Sequence, residues 1–187
     1  MFIQTEQTPN PATLKFLPGK PVMESGVADF TDADQAAAQS PLAGRLFEVD
    51  GVCGVFYGAD FITITKTDGA EWQVLRPLVL GAIMDHFTSG AALMRDGASE
   101  EIEEMGDGGA DPEIIDQIKE LLDTRVRPAV AQDGGDIVYK GFKDGTVYLH
   151  MRGACAGCPS STMTLKMGIE NMLRHYVPEV TQVEAVM

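Results

Sequence analysis

Basic side chains are scarce in this 187-residue chain: 14 Lys and Arg stand against 28 Asp and Glu, for a net charge of −14. A surface this acidic gains nothing from counterion release, which argues against nucleic acid or an anionic membrane as partner. Long apolar runs are missing too. None approaches the ~20 residues that a membrane-spanning helix needs, so no span is predicted. Cysteine is also rare, with Cys53, Cys155 and Cys158 alone. That odd, low count excludes a disulfide framework and suits a reducing compartment. The opening residues Met1-Phe2-Ile3-Gln4-Thr5-Glu6 have neither the basic and apolar regions of a secretory signal nor an Arg-rich presequence pattern, so a cytoplasmic protein is expected. A phosphate loop is lacking as well: Gly106-Asp107-Gly108-Gly109 has no strand before it and no Lys-Ser/Thr after it. With no general base or nucleophile pair in view, a turnover enzyme is not expected.

What is present concentrates in Arg152-Gly153-Ala154-Cys155-Ala156-Gly157-Cys158-Pro159-Ser160-Ser161-Thr162. Two small residues between Cys155 and Cys158 let one short loop turn both sulfurs the same way, and Pro159 reads as the first position of a helix. Thiols at a helix N-terminus ionise readily, because the dipole and the unpaired first-turn N–H groups favour the thiolate, the form that binds metal or attacks a disulfide.

The charge is unevenly spread. Residues 1–90 carry 5 basic and 11 acidic side chains, residues 91–110 carry 1 and 6, and residues 111–187 carry 8 and 11. The middle stretch, with its glycines, reads as a self-repelling linker of ~25 Å r.m.s. span, holding at most a short helical turn around Ile102. An α+β chain of two small domains, 1–90 and 111–187, each a short sheet packed with helices, is the expected architecture.

In the first domain, strands are predicted over Phe2–Glu6 and Ala12–Leu17, helices over Asp32–Gln39 and Pro41–Phe47, and a hairpin from Val52–Tyr57 and Phe61–Lys66. A helix follows on the spacing of Trp72, Leu75, Leu78, Val79, Ile83 and Phe87. In the second, Asp111 and Pro112 open a helix whose stripe is Ile114, Ile115, Ile118, Leu121, Leu122, Val126 and Ala129, with Pro128 bending its end. Strands flank Lys143-Asp144-Gly145, a helix runs over Pro159–Tyr176 with Leu165, Ile169, Met172, Leu173 and Tyr176 inward, and a strand ends the order helix, strand, strand, CxxC loop, helix, strand. Met163 and Met167 read as core packing, with a partner-docking rim as the other reading. Cys53 reads as a small core residue.

The residues leave three chemistries open for Cys155 and Cys158. A thiol-disulfide oxidoreductase uses CxxC, but there the motif usually ends the first strand of a βαβ unit, without a hairpin before it. Structural zinc needs four ligands, so the pair would act in a zinc-bridged adapter between chains; His150, on an alternating strand, is expected to be exposed or packed rather than a ligand. An iron-sulfur cluster usually takes four thiolates, which two chains related by a twofold axis would supply. Gly153 and Gly157 would let backbone approach the inorganic sulfides. Asp133 and Asp136 read as turn-shaping residues.

The run Gly153 to Ser161, with Arg127-Pro128 and Asp133-Gly134-Gly135-Asp136 upstream, resembles the C-terminal domain of NifU-like (Nfu) proteins, and Gln4 to Phe16 and Asp60 to Lys66 resemble the Nfu N-terminal domain. The resemblance implies an iron-sulfur cluster scaffold or carrier rather than an enzyme. It implies Cys155 and Cys158 as ligands of a labile cluster, most often [4Fe-4S] with [2Fe-2S] as the alternative, shared in a homodimer. Upstream cluster-assembly factors and apo-protein recipients follow as partners. Because organellar members carry a presequence, the start of this chain suggests a bacterial protein.

Overall fold

The computed structural model describes residues 1–96, 106–156 and 159–186, with backbone alone at 159–161. Cys158, Gly157 and the turn expected around Ile102 lie outside the described residues. The chain divides into two compact units, Met1–Glu100 and Glu101–Met187.

The first unit runs β1 (Gln4–Gln7), β2 (Thr13–Leu17), β3 (Ala28–Phe30), α1 (Ala33–Gln39), α2 (Pro41–Phe47), β4 (Val52–Tyr57), β5 (Ile62–Lys66) and α3 (Trp72–Ser89). Its strands form one antiparallel sheet in the order β1-β2-β5-β4-β3. Short polar side chains set the helix starts: the Asp32 carboxylate accepts the Gln35 N–H at 2.9 Å, and Ser40 Oγ accepts the Ala43 N–H at 3.1 Å, each offsetting an orphan first-turn donor. Phe16, Phe30, Leu42, Leu46, Tyr57, Ile62 and Ile64 fill the core against Leu75, Val79 and Ile83 of α3. Leu78, predicted on that stripe, is exposed instead; it stands about 100° round the helix from Val79.

Cys53 also departs from expectation. The β4–β5 register passes from Val52↔Lys66 to Gly54↔Thr65, so Cys53 is the extra residue of a β-bulge. A bulge re-aims its side chain, and the thiol is exposed rather than in the core. Desolvation and then Asp68 push its pKa up.

The second unit runs α4 (Pro112–Leu121), a π-helical turn (Leu122–Val126), α5 (Arg127–Gln132), β6 (Gly135–Lys143), β7 (Thr146–Gly153), α6 (Pro159–Tyr176) and β8 (Gln182–Val186). The sheet order is β6-β7-β8, with β6–β7 antiparallel and β7–β8 parallel. Asp144 (φ 51°) and Gly145 (φ 79°) make the two-residue left-handed turn of a tight hairpin. Asp111 caps α4 by accepting the Glu113 N–H at 3.0 Å. The second unit keeps the predicted order helix, strand, strand, helix, strand, with its first helix divided by the π turn.

Two helix faces shift by a residue. Pro128 has no N–H to offer the carbonyl of Thr124, and the backbone widens into the π turn just before it. The wider turn carries Val130 into the core in place of the exposed Ala129. At the end of α6 Val177 is buried and Tyr176 is exposed, lying under the Arg125 guanidinium at 4.9 Å. Met163 and Met167 correct a third expectation, since both face solvent rather than the core. Ile169 and Leu173 hold the buried side of α6, with Leu165 and Met172 partly buried beside them.

Candidate functional site

The site begins where β6 and β7 bring two glycine-containing corners together. Gly135 pairs with Gly153 and Asp136 with Arg152 across the ladder. Gly134 (φ 82°) and Gly153 (φ 61°) take the left-handed conformation that side chains resist. The Ala154 N–H donates to the Gly134 carbonyl at 3.2 Å and the Ala156 N–H to the Gly153 carbonyl at 3.1 Å. The chain thus folds back on itself as it leaves β7, and Cys155 comes to lie over Gly135.

That glycine is required by space. A Cβ at position 135 would sit 2.6 Å from Cys155 Sγ, 2.8 Å from the Arg152 carbonyl oxygen and 3.0 Å from the Cys155 nitrogen. Only a residue without a side chain lets the sulfur approach so closely. Cys155 is 6% exposed and belongs to the buried core of its unit, which also holds Ile137, Met151 and Ile169.

α6 completes the frame from the other side. Thr162, in its first turn, donates Oγ1–H to the Cys155 carbonyl at 3.0 Å. The first turn of α6 is therefore tied directly to Cys155. Thr162→Val keeps the shape and removes the bond, and is expected to cost about 1 kcal/mol. Urea unfolding of the two proteins side by side checks this; an unchanged midpoint would mean that the bond does not hold the loop.

Beneath the loop lies an ion pair. Arg127 donates Nε–H and Nη2–H to the two carboxylate oxygens of Asp136 at 2.9 and 3.0 Å, and Nη1–H to Asp123 at 3.1 Å. The Asp136 hydrogen bonds, more than any other influence, drive the Arg127 pKa up. Asp136 is buried, and so, directly opposite it, is Arg152. A bidentate pair of this kind fixes direction as well as distance, and it joins α5 to the strand that carries Gly135.

Of the residues singled out from sequence, Cys155 stands at this corner, Cys158 lies outside the described residues, and Cys53 belongs to the other unit. His150 is half-buried on β7 opposite Val138. Asp133 caps the end of α5, and Asp136 serves the ion pair. Among the described residues, no three His, Cys, Asp or Glu side chains group as metal ligands. The roles of Gly135, Thr162 and Arg127 were not read from sequence. The Arg127-Pro128 and Asp133-Gly134-Gly135-Asp136 segments were visible there, and it is their packing against the motif that gives them a role.

Comparison with known proteins bears on the same two units. The family model for the scaffold protein Nfu/NifU N terminal matches residues 3–90, and the model for the NifU-like domain matches residues 118–184. NifU-like protein 4, mitochondrial, of Arabidopsis thaliana is 53% identical over 186 residues, which are 98% of this chain and 65% of that protein. The human NFU1 iron-sulfur cluster scaffold homolog, mitochondrial, is 53% identical over 190 residues, covering all of this chain and 72% of that one. The solution structure of a NifU-like protein from Saccharomyces cerevisiae is 25% identical, covers 51% of this chain and 86% of its own, and has a TM-score of 0.47.

The names of the plant and human relatives overturn the expectation of a bacterial, cytoplasmic protein, since both are mitochondrial. That expectation rested on how the chain begins, and this chain spans only about two thirds of the length of the relatives it matches. With both domain models matched and 53% identity across its whole length, the chain belongs to the NifU-like (Nfu) family.

Proposed function

We propose that the chain is an iron-sulfur cluster scaffold and carrier, which holds its cargo through the thiolates of Cys155 and Cys158 and passes it to apo-proteins. The observation that carries this reading is Cys155, set against bare glycine backbone at Gly135 and tied to the first turn of α6, in a CxxC motif of the sequence. The name of the human relative, an iron-sulfur cluster scaffold homolog, supports it.

The mechanism follows from the number of ligands. Two thiolates per chain leave a cluster half-coordinated, so two chains meet at the loop and share one cluster, [4Fe-4S] or else [2Fe-2S]. Loading turns the Cys155 sulfur outward past Gly135, while the Thr162 bond and the Arg127–Asp136 pair keep the strands and helix on either side in place. Release proceeds by exchange: each thiolate of a recipient replaces one of Cys155 or Cys158, and separating the two chains gives up half the ligands at once. Nothing is turned over. Residues 111–187 form the cluster domain, residues 91–110 the acidic tether, and residues 1–90 the domain that meets recipients or the factors supplying the cluster.

Iron and acid-labile sulfide per chain after anaerobic reconstitution, with the visible spectrum, test the reading. About two of each per chain is expected for a bridging [4Fe-4S] cluster, or about one of each for [2Fe-2S], and neither element in Cys155→Ser or Cys158→Ser. A wild type that binds no iron would overturn it in favour of thiol-disulfide chemistry.

A further inference from the structure

Met163 and Met167 stand four residues apart on α6, 66% and 60% exposed, in the turns that follow the CxxC loop. Positions i and i+4 lie on one helix face, so the two side chains make one apolar patch. Single exposed apolar residues are ordinary, but adjacent methionines, flexible and polarizable, make an adaptable contact surface.

The patch has both uncharged and paired charged neighbours on α6. Thr164, Gly168 and Asn171 neighbour it, and a Cβ at Gly168 would meet nothing within 4 Å. The charged residues of this stretch of α6 are engaged within the chain: Lys166 with Glu184 at 3.3 Å, and Glu170 with Arg174 at 3.8 Å and with the Val183 N–H at 3.2 Å. In a protein of net charge −14, the acidic Glu170 beside the patch is thus already balanced within the chain.

We infer that Met163 and Met167 are the contact through which a second copy of this chain docks when the cluster is shared. The inference rests on the scaffold reading, and the ligand count selects the occupant. The site lacks two thiolates, an identical chain supplies them, and a cluster is small enough that the helices leading away from its ligands come into each other's reach. With a twofold axis through the cluster, the inferred contact is self-complementary, methionine against methionine. Two methionines and their small neighbours cover well under the ~800 Å² per partner of a stable interface. The patch therefore cannot hold the dimer by itself; it adds to the metal-thiolate bonds and lets go when they do.

The experiment compares the full chain with Met163→Gln/Met167→Gln and Met163→Leu/Met167→Leu, all reconstituted anaerobically with reductant present. Glutamine keeps the length and adds no charge to repel an anionic cluster. Mass by sedimentation and iron per chain are followed on serial dilution, with circular dichroism to check the fold, which solvent-facing substitutions leave intact. The glutamine variant is expected to fall apart and lose iron at a concentration at least about tenfold higher than wild type, and the leucine variant to match wild type. A glutamine variant that dilutes like wild type overturns the inference and leaves the scaffold reading standing. So does one that dilutes like wild type yet donates its cluster more slowly to an apo-ferredoxin, which would assign the face to the recipient. A wild type without iron removes the scaffold reading, and this inference with it.

Discussion

Asp136→Ala is expected to destabilise the second unit by about 3 kcal/mol, toward the lower end of what breaking a buried ion pair costs. The carboxylate is buried and accepts two hydrogen bonds from Arg127. Arg127 keeps 36% of its side-chain surface in solvent and recovers part of the loss in water. Arg152 is buried directly across the ladder, so the carboxylate that is removed stands at a corner where a second cation is also buried. Asp136→Asn keeps acceptor and donor atoms in place and should fall between alanine and wild type. The single tryptophan, Trp72, lies in α3 of the first unit. Its fluorescence transition should stay where it is while the circular dichroism transition of the second unit moves to lower urea. A shift below about 1 kcal/mol would mean that water already screens the pair.

Gly135→Ala is the second large effect expected, and it is steric. Of the three atoms that a new Cβ would meet, the Arg152 oxygen at 2.8 Å and the Cys155 nitrogen at 3.0 Å belong to backbone within the folded-back loop. Neither can swing away as a side chain can, so the strand or the loop must shift, at about 2–3 kcal/mol. The third atom, Cys155 Sγ at 2.6 Å, would be driven out of its seat. The variant should therefore lose stability and at the same time expose a thiol: Cys155 should react with a maleimide at least tenfold faster than in wild type. A stable variant with unchanged reactivity would show that the corner relaxes freely.

Much of the fold was legible from local signals that tertiary packing then reinforced. α2 and α6 run over the predicted residues because Ser40-Pro41 and Pro159 mark their starts, and the hairpins follow turn chemistry. β3 was missed because Ala28-Asp29-Phe30 is three residues long and owes its extended form to pairing with β4. The exposed Ala129 and Tyr176 were misplaced by a strict helical period, which neither the π turn nor the burial of Val177 obeys. Met163 and Met167 have the spacing of core residues, yet the buried side of α6 falls on Ile169 and Leu173. At the candidate site, the CxxC spacing was visible in the sequence. The contacts of Gly135 and Thr162 with Cys155 were not, since they depend on which strand end lies over which, and that is a property of the folded sheet.

The bulge in β4 bears on how the association of two chains is measured. It leaves the Cys53 thiol in solvent, and its raised pKa slows oxidation near neutrality without preventing it, since the thiolate fraction grows as the solution turns alkaline. Two chains that meet there in air form a covalent pair with the mass of a dimer and no iron in it. Samples kept in reductant, or carrying Cys53→Ser, test the association proposed at the cluster; samples left to oxidise report the accident of one extra residue in a strand.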